Sequence, residues 1–150
     1  MAIHRVPPQC VEAVWPAVED YAARACRHHP FMDAEDLLVV LREGRGQLFV
    51  ATDARGIEGF ALVEVIRFPK IATGNIVAAG GRRGFLKTLR EEMLPELEQW
   101  SAEHGATAFS VTGRVGWRRF AKPHGFAIVP VVTAWRAIDG RRRRITDHKD

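Results

Sequence analysis

Between Arg114 and Phe126 the chain places Trp117 and Phe120 three residues apart and then stops at Gly125-Phe126, ahead of an apolar run from Ile128 to Val132. Three-residue spacing puts both rings on one face of a short helix, and a glycine at its end supplies the left-handed backbone on which helices commonly close. A short helix that feeds directly into a strand restricts the chain to folds that alternate helices and strands. The 150 residues suit one domain large enough to bury its own core.

The rest of the chain extends this alternation. Ile3 to Val6 suits a short first strand, and Val11, Val14, Trp15, Val18 and Ala22 recur at three and four residues as an amphipathic helix, with Pro16 near its first turn or kinking it. Asp33 is placed to cap a second helix through Leu37, Leu38 and Leu41, stopped by Gly44 and Gly46. Gln47 to Thr52 and Ile57 to Phe68 then read as a hairpin around Asp53-Ala54-Arg55-Gly56. Ile71 to Ala79 reads as a fourth strand, and Gly80-Gly81-Arg82-Arg83-Gly84 as the loop into a long helix, Phe85 to His104. That helix is expected to bury Phe85, Leu86, Leu89, Met93, Leu97 and Trp100, with Pro95 interrupting it and Gly105 capping it. Thr107 to Thr112 gives a fifth strand, the Arg114 segment the last helix, and Ala127 to Ala137 a final strand.

In this order of elements, and in the Arg114 to Phe126 segment, the chain resembles the GNAT superfamily of N-acyltransferases, and most closely its small phage and prophage members. The resemblance covers about residues 3 to 138 and implies an α/β (α+β) fold: a mixed, mostly antiparallel sheet flanked by helices, with a cleft where the parallel fourth and fifth strands part. Residues 139 to 150 fall outside it as a basic tail, with five Lys or Arg against three Asp, half of the chain's net charge of +4. Its Arg141 to Arg144 run attracts phosphate, but without a second basic stripe it does not define a nucleic-acid site.

The resemblance implies transfer of an acetyl group from acetyl-CoA to a primary amine. Gly80, Gly81, Arg82, Arg83 and Gly84 would then face the pyrophosphate, which backbone N–H groups and a helix N-terminus favour. The thioester carbonyl would meet the backbone between Val77 and Ala79. Glu64 is the candidate base for the amine proton, and His124 the candidate acid for the departing thiolate. Three positions depart from the superfamily pattern. Gly81 stands where Gln or Arg is expected, Leu86 where a small residue is expected, and Ala121 where many members carry a tyrosine acid. These departures keep a second reading open, a catalytically inactive phage accessory or virion-associated binding protein.

About a dozen residues follow Gly125-Phe126 before the tail, and Pro130 interrupts them, so the superfamily's C-terminal hairpin is shortened to one strand or a bulged one. Val129, Val131, Val132 and Trp135 make that strand apolar, which suggests a homodimer or docking to a larger assembly through its edge. Cys10 and Cys26 have no metal-ligand or redox spacing, and the histidines form no ligand set, so neither metal nor disulfide is expected. The apolar runs are shorter than the roughly 20 residues a spanning helix needs, and the N-terminus has no signal-peptide core; a reducing cytoplasm is the expected setting.

Overall fold

The computed structural model describes residues 1–112, 117–128, 134, 136 and 138. Its elements follow the order β1 (Ala2–Arg5), α1 (Val11–Ala25), α2 (Ala34–Arg42), β2 (Gly46–Asp53), β3 (Gly56–Arg67), β4 (Ala72–Gly81), α3 (Phe85–Thr88), α4 (Leu94–Glu103), β5 (Ala108–Val111) and α5 (Arg118–Ala121). The sheet runs β1-β2-β3-β4-β5. Its first three pairings are antiparallel and the last, β4 with β5, is parallel, because the α3–α4 segment crosses over between them. This is the mixed, mostly antiparallel sheet expected from the sequence.

Alternation along the strands separates two apolar layers. Leu48, Val50, Phe60, Leu62 and Ala78 pack against Val11, Trp15, Val18 and Ala22 of α1 and Leu37, Leu38 and Leu41 of α2. On the opposite face Phe49, Ala61, Val63 and Ile76 meet Phe85, Leu89, Met93, Leu97 and Trp100, with Phe120 of α5 fully buried among them. The helical stripes therefore bury the faces their spacing indicated, and Trp117 lies edge-on to Phe120 at 5.5 Å between ring centroids. Asp33 caps α2 reciprocally: the Asp36 N–H donates to Asp33 Oδ1 at 3.0 Å, and the Asp33 N–H to Asp36 Oδ2 at 3.0 Å.

Several boundaries differ from the sequence reading. Gly80 and Gly81 belong to β4 rather than to the loop, since they pair with Phe60 and Gly59. The single long helix is α3, a π turn at Leu89–Met93, and α4 with Pro95 as its second residue, directly after the π turn. Leu86 is exposed rather than buried, because the turn after Gly84 points Phe85 inward in its stead. Ala127 and Ile128 form no strand, and the remainder of the expected final strand, with the dimer contact proposed on it, falls largely outside the described residues, as do Arg114 and the tail 139–150.

Candidate functional site

β4 and β5 pair from Thr73↔Ala108 to Ile76↔Val111, after which β4 continues through Val77–Gly81 with no partner on that side among the described residues. The parting coincides with an irregularity. Leu62 faces Ala78 while Val63 faces Ile76, so Val77 is an extra residue in β4. Val77 and Ala78 consequently both turn to the α1/α2 layer, with Ile76 and Ala79 on the other. Such a bulge bends its strand and re-aims the backbone.

Beyond the bulge the parity of the ladder sets which peptide groups face the gap. The Arg82 N–H donates to Glu58 O at 2.8 Å, so Arg82, Gly80 and Ala78 direct their polar groups to β3. Alternation then turns the N–H and C=O of Ala79 and Gly81 away from β3, toward the side that β5 has left. Among the described residues, a backbone acceptor and donor row is thereby open along the upper half of β4.

The turn that follows is pinned from beneath. Phe85 lies 4% exposed with its ring over Gly59 and Gly81. A Cβ on Gly81 would fall 2.5 Å from the ring's Cγ and 2.6 Å from Glu58 O, and one on Gly59 would overlap the ring. Gly81, within the segment that resembles a phosphate loop, is thus required first by packing. Gly84 takes φ +87°, which starts α3 and which a side chain resists. The N–H groups of Arg83 and Gly84 have no hydrogen-bond partner among the described residues.

The two arginines of the turn part company. Arg82 Nη1 donates to Asp53 Oδ2 at 2.7 Å and Nη2 to Ile57 O at 3.2 Å, the same carbonyl that receives the Tyr21 hydroxyl at 3.2 Å. The Arg82 hydrogen bond holds the Asp53 carboxyl below its usual range, helped by the Arg55 N–H. Arg82 therefore ties the turn to the β2–β3 hairpin, and Arg83 is exposed without an ion pair among the described residues. Glu58 stands beside this anchor, accepting from the Thr88 hydroxyl at 2.7 Å.

Glu64 is half-buried on the α1/α2 face, one strand from β4 and opposite Asn75. Asn75 in turn faces Ser110 of β5, whose hydroxyl donates to Asn75 Oδ1 at 3.2 Å and lies 3.3 Å from Gly74 O. Glu64, Asn75 and Ser110 thus form a polar row across three strands, just below the bulge. The sequence reading found only Glu64, because register rather than spacing aligns the other two. Ala121, at the position of the superfamily's tyrosine, is buried against the α3/α4 layer and offers no proton. Tyr21 of α1 spends its hydroxyl on Ile57 O beside Arg82, on the turn rather than at the parting of the strands. His124 closes the turn Lys122–His124 before Gly125, at φ +78°, and its side chain falls outside the described structure. Among the described residues no group of His, Cys, Asp and Glu is arranged to hold a metal, and no helix is long and apolar enough to cross a membrane.

No family model matches the chain, and no curated protein matches it. Solved structures do. An aminoglycoside acetyltransferase from an uncultured soil metagenomic sample, in complex with sisomicin, superposes with a TM-score of 0.70 at 16% identity, over 91% of this chain and 95% of that one. A predicted acetyltransferase with acetyl-CoA from Clostridium acetobutylicum gives 0.66 at 13% identity, over 92% and 97%. A ribosomal-protein-alanine N-acetyltransferase from Brucella melitensis biovar Abortus 2308 gives 0.66 at 14%, over 91% and 98%. At these identities the likeness is one of fold, a mixed five-stranded sheet with helices that matches the GNAT-like acetyltransferase fold.

Proposed function

We propose that this protein is an N-acyltransferase that moves an acetyl group from acetyl-CoA to a primary amine. The observation that carries the reading is the parting of β4 from β5 beyond the Val77 bulge, which opens the Ala79 and Gly81 peptide groups to a ligand that can pair with them. Acetyl-CoA fits this row: its pantetheine amides complement a strand's free backbone, and its pyrophosphate suits the unpaired Arg83 and Gly84 N–H groups at the start of α3. Gly80 and Gly81 act here as strand backbone, Arg82 as the anchor of the turn and Arg83 as the cation toward phosphate. The aminoglycoside and ribosomal-protein acetyltransferases among the structural relatives support an amine as the acceptor class.

In transfer the amine nitrogen bonds to the acetyl carbon, the carbon–sulfur bond breaks, and the sulfur takes up a proton. The Val77–Ala79 backbone polarises the carbonyl, and Glu64 takes the amine proton through a water, held in place by the Asn75–Ser110 pair. His124 is the group assigned to protonate sulfur. A second reading is favoured by Ala121 and by the structural use of Gly81 and Arg82: a GNAT-like protein that binds acyl-CoA, or a partner, without transferring the acetyl group.

Calorimetry with acetyl-CoA tests the proposal. Micromolar binding is expected, weakened about tenfold by Arg83→Ala, a loss of about 1.4 kcal/mol. Absence of binding at millimolar acetyl-CoA would sink both acyl-CoA readings. Glu64→Gln separates them, since it is expected to keep acetyl-CoA affinity and abolish thiol release in the presence of amines.

A further inference from the structure

At the end of the sheet opposite the Arg82–Gly84 turn lies a second concavity. β2 begins at Gly46, opposite Glu64, while β3 continues to Arg67, so Val65 to Arg67 extend past the last residue that could pair with them on that side. The notch is bordered by both layers at once. Val6, Leu41 and Leu48 reach it from the α1/α2 side and Trp100 from α4, enclosing about 330 Å³ over an apolar floor.

Its polar lining is one-sided. Arg45, Gln47, Arg67 and His104 face the space, and among the described residues no Asp or Glu lines it. Two nearby carboxylates are already committed, Glu43 to Arg45 at 2.7 Å and Glu103 to Arg5 at 2.7 and 3.2 Å. Arg67 is left as the uncompensated cation, with one Nη2 donated to His104 O at 2.9 Å and no ion pair among the described residues. The His104 ring stacks on Trp100 at 4.4 Å and directs Nδ1 to Trp100 O at 2.8 Å. A carbonyl only accepts, so Nδ1 carries hydrogen and Nε2 is the ring's remaining polar group. Gln47 is fixed by donating to Val6 O and Leu48 O at 2.8 and 2.9 Å.

We infer that this notch binds a small organic carboxylate, with its apolar body on Leu41, Val65 and Trp100 and its carboxylate on the Arg67 guanidinium. The apolar floor disfavours a bare inorganic anion, which gains nothing there and loses hydration. The cationic rim disfavours amines. A planar guanidinium with free N–H groups matches a carboxylate bidentately. The site lies away from the parting of β4 and β5 and stands whether or not acetyl-CoA binds.

The test is an amide-resolved NMR titration of the full chain with phenylacetate, alongside phenethylamine, 2-phenylethanol and inorganic phosphate. Saturable shifts at Gln47, Arg67, Trp100 and His104 are expected with phenylacetate alone. Arg67→Gln should weaken them at least about fivefold, and Arg67→Lys, which keeps charge but loses the fork, by less. Because Arg67 is exposed at the end of β3, both variants are expected to keep the wild-type spectrum elsewhere, which the same data verify. No shift at about 20 mM phenylacetate, equal shifts with the alcohol, the amine or phosphate, or unchanged affinity in Arg67→Gln would overturn the inference.

Discussion

The two halves of β4 are built on different principles. From Ala72 to Ile76 the strand is paired on both sides, and its polar groups, Thr73 and Asn75, are side chains buried in the sheet. From Val77 to Gly81 it is paired, among the described residues, with β3 alone, its side chains shrink to Val-Ala-Ala-Gly-Gly, and the polar groups it presents are peptide groups. Small side chains allow α1 and Phe85 to approach the backbone directly: Gly80 lies close to Tyr21 O and Ala25 Cβ, and Gly81 under the Phe85 ring. The lower half is scaffold. The upper half is an edge among the described residues, held from one side by packing, which is the condition for a backbone to act as a binding surface without collapsing.

The sharpest way to break this comparison is to remove the ring that holds the upper half. Phe85→Ala deletes a buried aromatic against two glycines that cannot fill the space, and such truncations cost about 3–5 kcal/mol. Urea unfolding should show that loss with little change in slope. Hydrogen exchange should accelerate more at Ala79 to Gly84 than at Thr73 to Ile76. A loss below about 1 kcal/mol, or uniform acceleration along β4, would show that Phe85 does not pin the upper half.

Much of the scaffold was legible in the sequence. The stripes of α1 and α2, the hairpin, the crossover between β4 and β5, and the inward Phe120 all follow from periodicity and turn residues. The end of β4 was misread because Gly80-Gly81 has low strand propensity. What keeps these glycines in the sheet is pairing with Phe60 and Gly59 and the ring of Phe85, which no local pattern contains. Asp33 was recognisable as a cap, but its reciprocal partner Asp36 stands where Glu or Gln is the usual signal. The candidate site was legible only in part. Arg82 and Arg83 are indistinguishable as letters, and their roles divide because Asp53 comes alongside one of them through the β2–β3 turn. The Val77 bulge, and the alignment of Asn75 and Ser110 with Glu64, are properties of register, which a single sequence does not display.

A smaller effect sharpens the comparison at the turn above the upper half. The Asp53 carboxyl is lowered first by the Arg82 hydrogen bond and then by the Arg55 N–H, from an ordinary value of 3.8. A carboxyl lowered on folding stabilises the native state above its unfolded pKa, and that contribution is lost as pH falls through the lowered folded value. Asp53→Asn should therefore reduce the unfolding midpoint at pH 7, and the gap to wild type should close as pH drops below about 4. A gap that stays constant down to pH 2 would assign the effect to packing and leave Arg82 free to serve as a ligand group.

The smallest expected effect probes the layer against which the upper half rests. Cys26 follows Ala25, whose Cβ backs Gly80, and its thiol is pushed up to about 11, mainly by burial and secondarily by Asp33 and Asp36. At pH 8 only about one Cys26 in a thousand is then thiolate, and the group is also shielded, being 3% exposed. Cys10 is only half-buried, so a disulfide reagent should label one thiol quickly and the other at least about a hundredfold more slowly. In Phe85→Ala the slow thiol should remain slow if the ring holds β4 and its turn without supporting α1. Rapid labelling of Cys26 in that variant would mean that the ring, β4 and α1 open as one unit, and that the rigidity of the upper half is shared by the whole α1 layer.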